Sequence, residues 1–179
     1  MREDAERLLA RKSELMARID ALPIEGQAGL RTRFHGDYHL GQVLVARNDF
    51  VIIDFEGEPA RTFDERRTKG SPLRDVAGML RSFNYARWSA LRREAQNADE
   101  FSKLDASARA WESETRAAFL AGYTGALGGG AAPADPALLA LFEFEKACYE
   151  LRYELGNRHD WVPVPLQGIL AMLDPATGG

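Results

Sequence analysis

Two short segments hold residues whose types and spacing suit one kind of chemistry. The first, His35–Gln42, has the sequence HGDYHLGQ, and the second, Ile52–Glu56, has the sequence IIDFE. Phosphoryl transfer needs one carboxylate to take the proton of the attacking hydroxyl. It also needs a second carboxylate and an amide oxygen to hold magnesium on the nucleotide phosphates. The segments therefore predict Asp37 as the catalytic base and Gln42 and Asp54 as magnesium ligands.

The spacing of these residues resembles the catalytic loop of protein kinases, in which Asn follows the catalytic Asp after four residues and a second Asp follows a hairpin. Gln42 replaces that Asn and reaches one methylene further, although its carbonyl oxygen still suits magnesium. Glu56 stands where protein kinases have Gly. It is a candidate third metal ligand, or a group that supports the ligands.

The segments HGDYHLGQVL and IDFEGEP resemble the aminoglycoside-phosphotransferase-like kinases, which share the His-Gly-Asp-x-His pattern. The Gln form with DFEGEP resembles the maltokinases in particular, as do residues 71–86 and 144–166. The resemblance implies ATP- and magnesium-dependent phosphorylation of maltose to maltose 1-phosphate, which feeds α-glucan synthesis. It implies that His35 supports the loop, and it leaves open whether His39 faces the acceptor or braces the loop.

The same resemblance implies a missing part. Kinases of this type have an N-terminal lobe with a lysine that grips the phosphates, and no strand with such a lysine precedes His35. The run Gly128–Gly130 does not match a phosphate-binding loop, since no strand precedes it. Residues 1–179 are thus expected to form a single kinase-like C-terminal lobe. The N-terminal lobe, or a fused trehalose synthase domain, would be its partner.

Hydrophobic periodicity and turn residues predict an α+β fold that is mostly helical. Helices are expected over residues 3–22, from Pro72 with Ser71 as its N-cap, over 105–124 and over 136–156. Pro23 and Gly26 are expected to end the first helix. Residues 43–46 and 50–54 are expected to form a hairpin that carries the two chemical segments.

Stripes at helical spacing predict which faces are buried. The expected core residues are Leu73, Val76, Leu80 and Phe83 on one helix, Trp111, Ala118 and Phe119 on the next, and Leu141, Phe144, Cys148, Leu151 and Leu155 on the last. Off that last stripe lie Glu145, Tyr149, Arg152 and Tyr153, which combine aromatic faces with charged hydrogen-bonding groups. They are candidates for binding the acceptor sugar, and a solvated helix face is the alternative. Arg74 and Asp75 either point at the site or form a buried pair.

Composition excludes several classes of function. The net charge of −4 argues against nucleic acid or an anionic membrane as a partner. No run approaches the roughly 20 apolar residues of a membrane helix, and the charged first residues do not resemble a signal peptide. With Cys148 as the sole cysteine, no internal disulfide can form. A cytoplasmic protein is expected.

Three other functions remain open from the residues alone. The chain could phosphorylate a different small hydroxyl acceptor, because aminoglycoside, choline and homoserine kinases share the His-Gly-Asp core. It could be a metallohydrolase that uses His35, Asp37 and His39, although three histidines in the whole chain are few for such a site. It could also be a kinase-like module without catalytic activity.

Overall fold

The computed structural model describes residues 2–21, 31–58, 62–127 and 135–173. In chain order the elements are α1 (Arg2–Ala10), α2 (Lys12–Asp20), a 3₁₀ turn (Leu40–Gln42), β1 (Val43–Ala46), β2 (Asp49–Ile52), α3 (Phe63–Arg67), α4 (Leu73–Glu94), α5 (Ala98–Ala126), α6 (Pro136–Asn157), a second 3₁₀ turn (His159–Trp161) and α7 (Pro163–Leu173). The predicted α+β fold, mostly helical with one small hairpin, is confirmed. Among the described residues, none of these helices is long and apolar enough to cross a membrane.

The chain forms two compact units, one of residues 1–29 with 136–179 and one of residues 30–135. In the first unit, α7 packs on α6 and α1 and buries Val164, Leu166, Ile169, Leu170 and Leu173. The guanidinium groups of Arg11 and Arg18 donate to the last carbonyls of α7, at Leu173 and Met172. These bonds satisfy acceptors that a helix end leaves open.

The single helix expected over residues 3–22 is wrong, since α1 and α2 are separated at Arg11. The helix end expected at Pro23 and Gly26 lies outside the described residues. The apolar stripe missed the break because Leu8, Leu15 and Ile19 keep helical spacing across it.

The predicted buried face of α6 is also wrong. Leu139, Glu143, Ala147 and Glu154 are buried, whereas Leu155 is 52% exposed and Leu141, Phe144, Cys148 and Leu151 are half-buried. Two glutamates lie on the buried face, so hydrophobic spacing could not find it. Glu154 is tolerated there because Arg158 forms a two-point ion pair with its carboxylate.

The second unit contains the hairpin. β1 and β2 are antiparallel, with Val43 opposite Ile52 and Ala46 opposite Asp49, and the tight turn includes Arg47 at φ 59°. The predicted hairpin is confirmed. Its second strand ends at Ile52, so Asp54 lies beyond the ladder and its backbone is free to turn.

Helices α4 and α5 pack together in this unit. The predicted stripe of α4, Leu73, Val76, Leu80 and Phe83, is buried as expected. Helix α5 is longer than predicted and begins after the N-cap Asn97. Phe119 contacts Phe83 edge to face at 5.8 Å. The inward positions expected of Trp111 and Ala118 are wrong, since both are exposed.

A buried network of ion pairs lies between α4 and α5, where Trp111 and Ala118 were expected. Arg87 is 3% exposed and lies 2.6 Å from Asp105 and 2.8 Å from Glu112. The Asn84 amide donates to Glu112 at 3.1 Å. Burial lowers the pKa of Arg87 and the two carboxylates oppose that shift. The contact between the two helices is therefore partly ionic, which a hydrophobic pattern does not reveal.

Candidate active site

The loop that carries Asp37 is held at its start by Asp75 of α4. The Asp75 carboxylate accepts the backbone N–H of His35 at 2.6 Å and that of Gly36 at 2.9 Å. Burial raises the pKa of Asp75, and the two backbone hydrogen bonds oppose the shift. The sequence offered two roles for Asp75, a side chain that points at the site or a buried pair with Arg74. The observed bonds to the loop backbone are a structural role that neither of them named.

Two further residues of α4 hold the same loop. A Cβ atom on Gly78 would lie 2.6 Å from the carbonyl oxygen of Tyr38, so only glycine permits this approach. Further along, the Ser82 hydroxyl accepts the backbone N–H of Leu40 at 3.2 Å and donates to the Met79 carbonyl. Positions 75, 78 and 82 follow the spacing of one helix face. That face supports residues 35 to 40, and sequence reasoning did not find it.

His35 joins the two chemical segments. Its side chain is buried, its Nδ1 accepts the backbone N–H of Asp37 at 3.3 Å and its Nε2 lies 2.8 Å from the carbonyl oxygen of Ile53. Since Nδ1 is an acceptor, Nε2 carries the proton and donates to Ile53. The ring also packs on Phe55, with centroids 4.9 Å apart. His35 therefore sets the Asp37 loop against the chain entering Asp54, and its role in the reaction stays a prediction.

Two glycines allow the segments to approach closely. A Cβ atom on Gly36 would lie 3.2 Å from the Cα atom of Gly57, and both glycines have positive φ, 88° and 81°. Asp54 also has a left-handed backbone, at φ 63°. A non-glycine residue in this region costs about 1–3 kcal/mol and is held there by its surroundings, often at functional sites.

Gln42 and Asp54 lie side by side. The Gln42 Nε2 donates to Asp54 Oδ2 at 2.9 Å, and both side chains are accessible to solvent. A half-turn of the Gln42 amide would present Oε1 beside the carboxylate instead. Magnesium prefers such oxygen donors and keeps several waters and phosphate oxygens as its other ligands. The donor set thus fits the metal that the sequence predicts, and the assignment itself stays a prediction.

Two further candidate residues on these segments are His39 and Glu56. His39 Nε2 lies 3.8 Å from Asp37 Oδ2. Glu56 is exposed in the turn after Asp54. No group of three or more His, Cys, Asp or Glu side chains suited to a metal occurs in the described ranges, so Glu56 as a third ligand stays a prediction.

The four candidates for acceptor binding all lie on α6, in the other unit. Glu145, Arg152 and Tyr153 are exposed, and Tyr149 is half-buried. The Arg158 guanidinium lies 5.5 Å from the ring centroids of Tyr153 and Trp161. An acceptor role for the four residues stays a prediction.

A cavity of about 610 Å³ lies behind the loop. Its lining includes His35, Tyr38, Phe55, Asp75, Phe119 and Tyr123. Burial raises the pKa of Tyr38 and that of Tyr123, and the negative charge of Asp75 raises both further. Asp37, Gln42 and Asp54, the three residues assigned to chemistry, are not among its lining residues.

The metallohydrolase alternative is weakened by the histidines. Both ring nitrogens of His35 are used, one by the Asp37 N–H and the other by the Ile53 carbonyl. A metal ligand needs an unprotonated nitrogen directed at the metal, and His35 has none to offer.

Comparison with known proteins agrees with this geometry. A family model described as the phosphotransferase enzyme family (APH) matches residues 1–142. The chain belongs to this family. The predicted resemblance to aminoglycoside-phosphotransferase-like kinases is thereby confirmed, and the finer assignment to the maltokinases stays a prediction.

Relatives of this chain include two glucosamine kinases. The one from Mycolicibacterium smegmatis (strain ATCC 700084 / mc(2)155) is 32% identical over 146 residues, which cover 80% of this chain and 35% of the relative. The one from Streptacidiphilus jiangxiensis is 30% identical over 168 residues, 90% of this chain and 36% of the relative. The chain thus spans about a third of the length of these relatives.

Solved structures of glucosamine kinase have the same fold as this chain. One, in complex with glucosamine, ADP and inorganic phosphate, has a TM-score of 0.82 at 25% identity, covering 96% of this chain and 40% of that chain. A second, crystal form B, has a TM-score of 0.76 at 26% identity with the same coverage.

Proposed function

We propose that this chain forms the catalytic lobe of an ATP- and magnesium-dependent kinase that phosphorylates a hydroxyl group of a sugar. The observation that carries the proposal is the 2.9 Å contact between Gln42 and Asp54, next to a loop that α4 and His35 hold in place. Membership of the phosphotransferase family supports the reaction class. The ADP in the related glucosamine kinase structure supports ATP as the phosphoryl donor.

In the proposed reaction, Asp37 accepts the proton of the acceptor hydroxyl as its oxygen forms a bond to the γ-phosphorus. The bond from that phosphorus to the β,γ-bridging oxygen breaks, and ADP leaves with the electron pair. Asp37 then releases its proton to solvent. Magnesium held by Gln42 and Asp54 would neutralise charge on the phosphates. Asp75, Gly78 and His35 do not react, and they fix where Asp37 lies.

An amino sugar of the glucosamine type is the first candidate for the acceptor. The two relatives and the two solved structures named above are glucosamine kinases, which supports this choice. Maltose is the second candidate, because HGDYHLGQVL and IDFEGEP resemble the maltokinase segments. Phosphorylation of maltose would give maltose 1-phosphate and place the enzyme in α-glucan synthesis.

We also propose that a nucleotide-binding lobe completes the site, as the resemblance implies. The hairpin supports this, since Leu44, Val45, Phe50 and Val51 are exposed on both of its faces. Apolar surface of this kind commonly marks a contact with another domain or protein.

The test is sugar-dependent ADP release in the presence of magnesium and ATP. The chain is assayed alone and with a nucleotide-binding lobe from a relative, against glucosamine, glucose and maltose. We expect release with glucosamine and less with glucose, which lacks the amine. Asp37→Asn is expected to lower kcat about 10²-fold or more, and Asp99→Asn, at an exposed position in α5, serves as its control. Wild-type kcat in Asp37→Asn would refute the role of the base, and release with maltose alone would reverse the order of acceptors.

A further inference from the structure

His39 uses one nitrogen to begin the turn that carries Gln42. Its backbone is extended, and its Nδ1 accepts the backbone N–H of Gly41 at 3.0 Å, which makes His39 the N-cap of the 3₁₀ turn Leu40–Gln42. The turn ends at the residue that pairs with Asp54. His39 therefore contributes to the placement of Gln42, the proposed magnesium ligand.

The cap determines which nitrogen of His39 carries the proton. A neutral imidazole has one N–H, and a nitrogen that accepts a hydrogen bond cannot bear it. With Nδ1 as the acceptor, the proton lies on Nε2. That nitrogen is 3.8 Å from Asp37 Oδ2, with His39 41% and Asp37 21% exposed in their side chains. The ring nitrogen of His39 that lies near the Asp37 carboxylate is thus the one that bears the N–H.

Gly41 independently supports this placement of the ring. A Cβ atom at Gly41 would lie 2.8 Å from Cε1 and 3.0 Å from Nδ1 of His39. Any other residue would displace the imidazole from its cap. The loop thus accommodates the His39 ring where one nitrogen meets a backbone amide and the other faces Asp37.

We propose that His39 is a positioning residue for Asp37: it caps the turn through Nδ1 and orients the Asp37 carboxylate through Nε2–H. This rests on the proposed function, in which Asp37 takes the proton of the acceptor. The 3.8 Å separation exceeds a usual N–H···O hydrogen bond of about 2.7–3.2 Å. Catalytic hydrogen bonds are often long before substrate binds and tighten in the complex with substrate.

Two substitutions of His39 test the roles of its two ring nitrogens separately. In His39→Asn, the amide oxygen takes the place of Nδ1 and keeps the cap, since Asn is a favoured N-cap residue, but nothing reaches Asp37. In His39→Gln, the amide nitrogen takes the place of Nε2 and the cap is lost. We expect His39→Asn to keep its thermal midpoint and its KM for ATP while kcat falls about tenfold or more. We expect His39→Gln to retain more of the kcat and to have a lower thermal midpoint. His159→Asn, at an exposed position, is the matched control.

The double variant Asp37→Asn/His39→Asn decides whether His39 acts through Asp37. If it does, the second substitution leaves kcat of Asp37→Asn unchanged. The proposal would be overturned if the two substitutions lowered kcat by factors that multiply in the double variant. It would also be overturned if His39→Asn raised the KM for the sugar at constant kcat, since His39 would then bind the acceptor directly.

A nitrogen NMR spectrum of the histidines tests the inference without any activity. The expected result is an Nε2–H tautomer for His39 and a shift of its Nε2 resonance in Asp37→Asn. An Nδ1–H tautomer, or an unchanged resonance, would overturn the proposal. If wild type phosphorylates no sugar, the proposed function fails, yet the spectrum still decides the placement of His39.

Discussion

Asp75 on α4 accepts the backbone N–H of His35 at 2.6 Å, from a carboxylate forty positions further along the chain. The second oxygen of the same carboxylate accepts the N–H of Gly36. One side chain thereby fixes two consecutive peptide groups immediately before Asp37. The position of the proposed base therefore depends on a residue that does not itself react.

Asp75→Asn is expected to loosen this loop. Asn offers one oxygen, so one of the two backbone amides loses its acceptor, at a cost of about 1–3 kcal/mol in the free energy of unfolding. Urea denaturation at pH 7 measures the stability, and hydrogen exchange of residues 35 to 40 measures the loop. Asp99→Asn is the control, and normal exchange protection of the His35 and Gly36 amides in Asp75→Asn would contradict the assigned role.

The effect of this substitution is expected to depend on pH. Burial raises the folded-state pKa of Asp75 above its ordinary value of 3.8, so the folded state binds this proton more tightly than the unfolded state does. The stability that this tighter proton binding contributes is fully present below pH 3.8 and is lost as the pH rises through the raised pKa of Asp75. The difference in unfolding free energy between wild type and Asp75→Asn thus shrinks as the pH rises. A difference that grows across that window in urea denaturation would show that the hydrogen bonds outweigh burial.

Two Gly→Ala substitutions in helices are expected to have opposite effects. Gly78→Ala places a methyl group 2.6 Å from the Tyr38 carbonyl oxygen, and overpacking of this kind costs about 1–3 kcal/mol. Gly122→Ala in α5 meets nothing within 4 Å and gains up to about 1 kcal/mol from helix propensity. Thermal unfolding compares the two variants, and equal shifts of the midpoint would refute the close contact at Gly78.

The ion network between α4 and α5 is expected to be sensitive to the loss of its cation. Arg87→Met leaves the carboxylates of Asp105 and Glu112 without their buried partner, which costs about 3–5 kcal/mol. Adding Glu112→Gln replaces the Glu112 carboxylate, which has lost its Arg87 partner, with a neutral amide. The double variant is therefore expected to recover part of the lost unfolding free energy. A double-mutant cycle by chemical denaturation measures the coupling. Strict additivity would mean that Arg87 and Glu112 do not interact.

Gln42 is expected to set the magnesium requirement. Gln42→Ala removes an oxygen donor, so we expect the magnesium concentration for half-maximal activity to rise roughly tenfold or more. Gln42→Asn keeps a shorter donor and is expected to lie between Ala and wild type. Activity measured over a magnesium titration at saturating ATP tests the order. An unchanged requirement in Gln42→Ala would assign Gln42 to loop structure alone.

Local patterns in the sequence predicted much of this architecture. The hairpin follows from two short β-rich runs, and the buried stripe of α4 follows from apolar residues at helical spacing. The two segments with the candidate catalytic and metal-binding residues can be recognised because residue type and spacing are both local. The sequence marks Asp75 as a candidate but does not reveal its target, since no local rule states which backbone a helix will contact.

The features that the sequence did not reveal depend on contacts between distant segments. Gly78 in a helix interior costs about 1 kcal/mol relative to Ala, which was the available signal that something approaches there. The buried face of α6 was misassigned because Glu143 and Glu154 lie on it. Buried glutamates contradict the hydrophobic rule unless their partners are known, as Arg158 is for Glu154.

The three contacts of α4 with residues 35 to 40 also limit which insertions and deletions this part of the chain can tolerate. From Asp75 to Ser82 the helix rises about 10 Å over two turns, and each residue turns it by about 100°. Inserting or deleting one codon between these positions would rotate Ser82 away from Leu40 while Asp75 stayed in place. We therefore expect aligned relatives to differ in side chains along this stretch but to have no gaps in it, with length variation falling outside it.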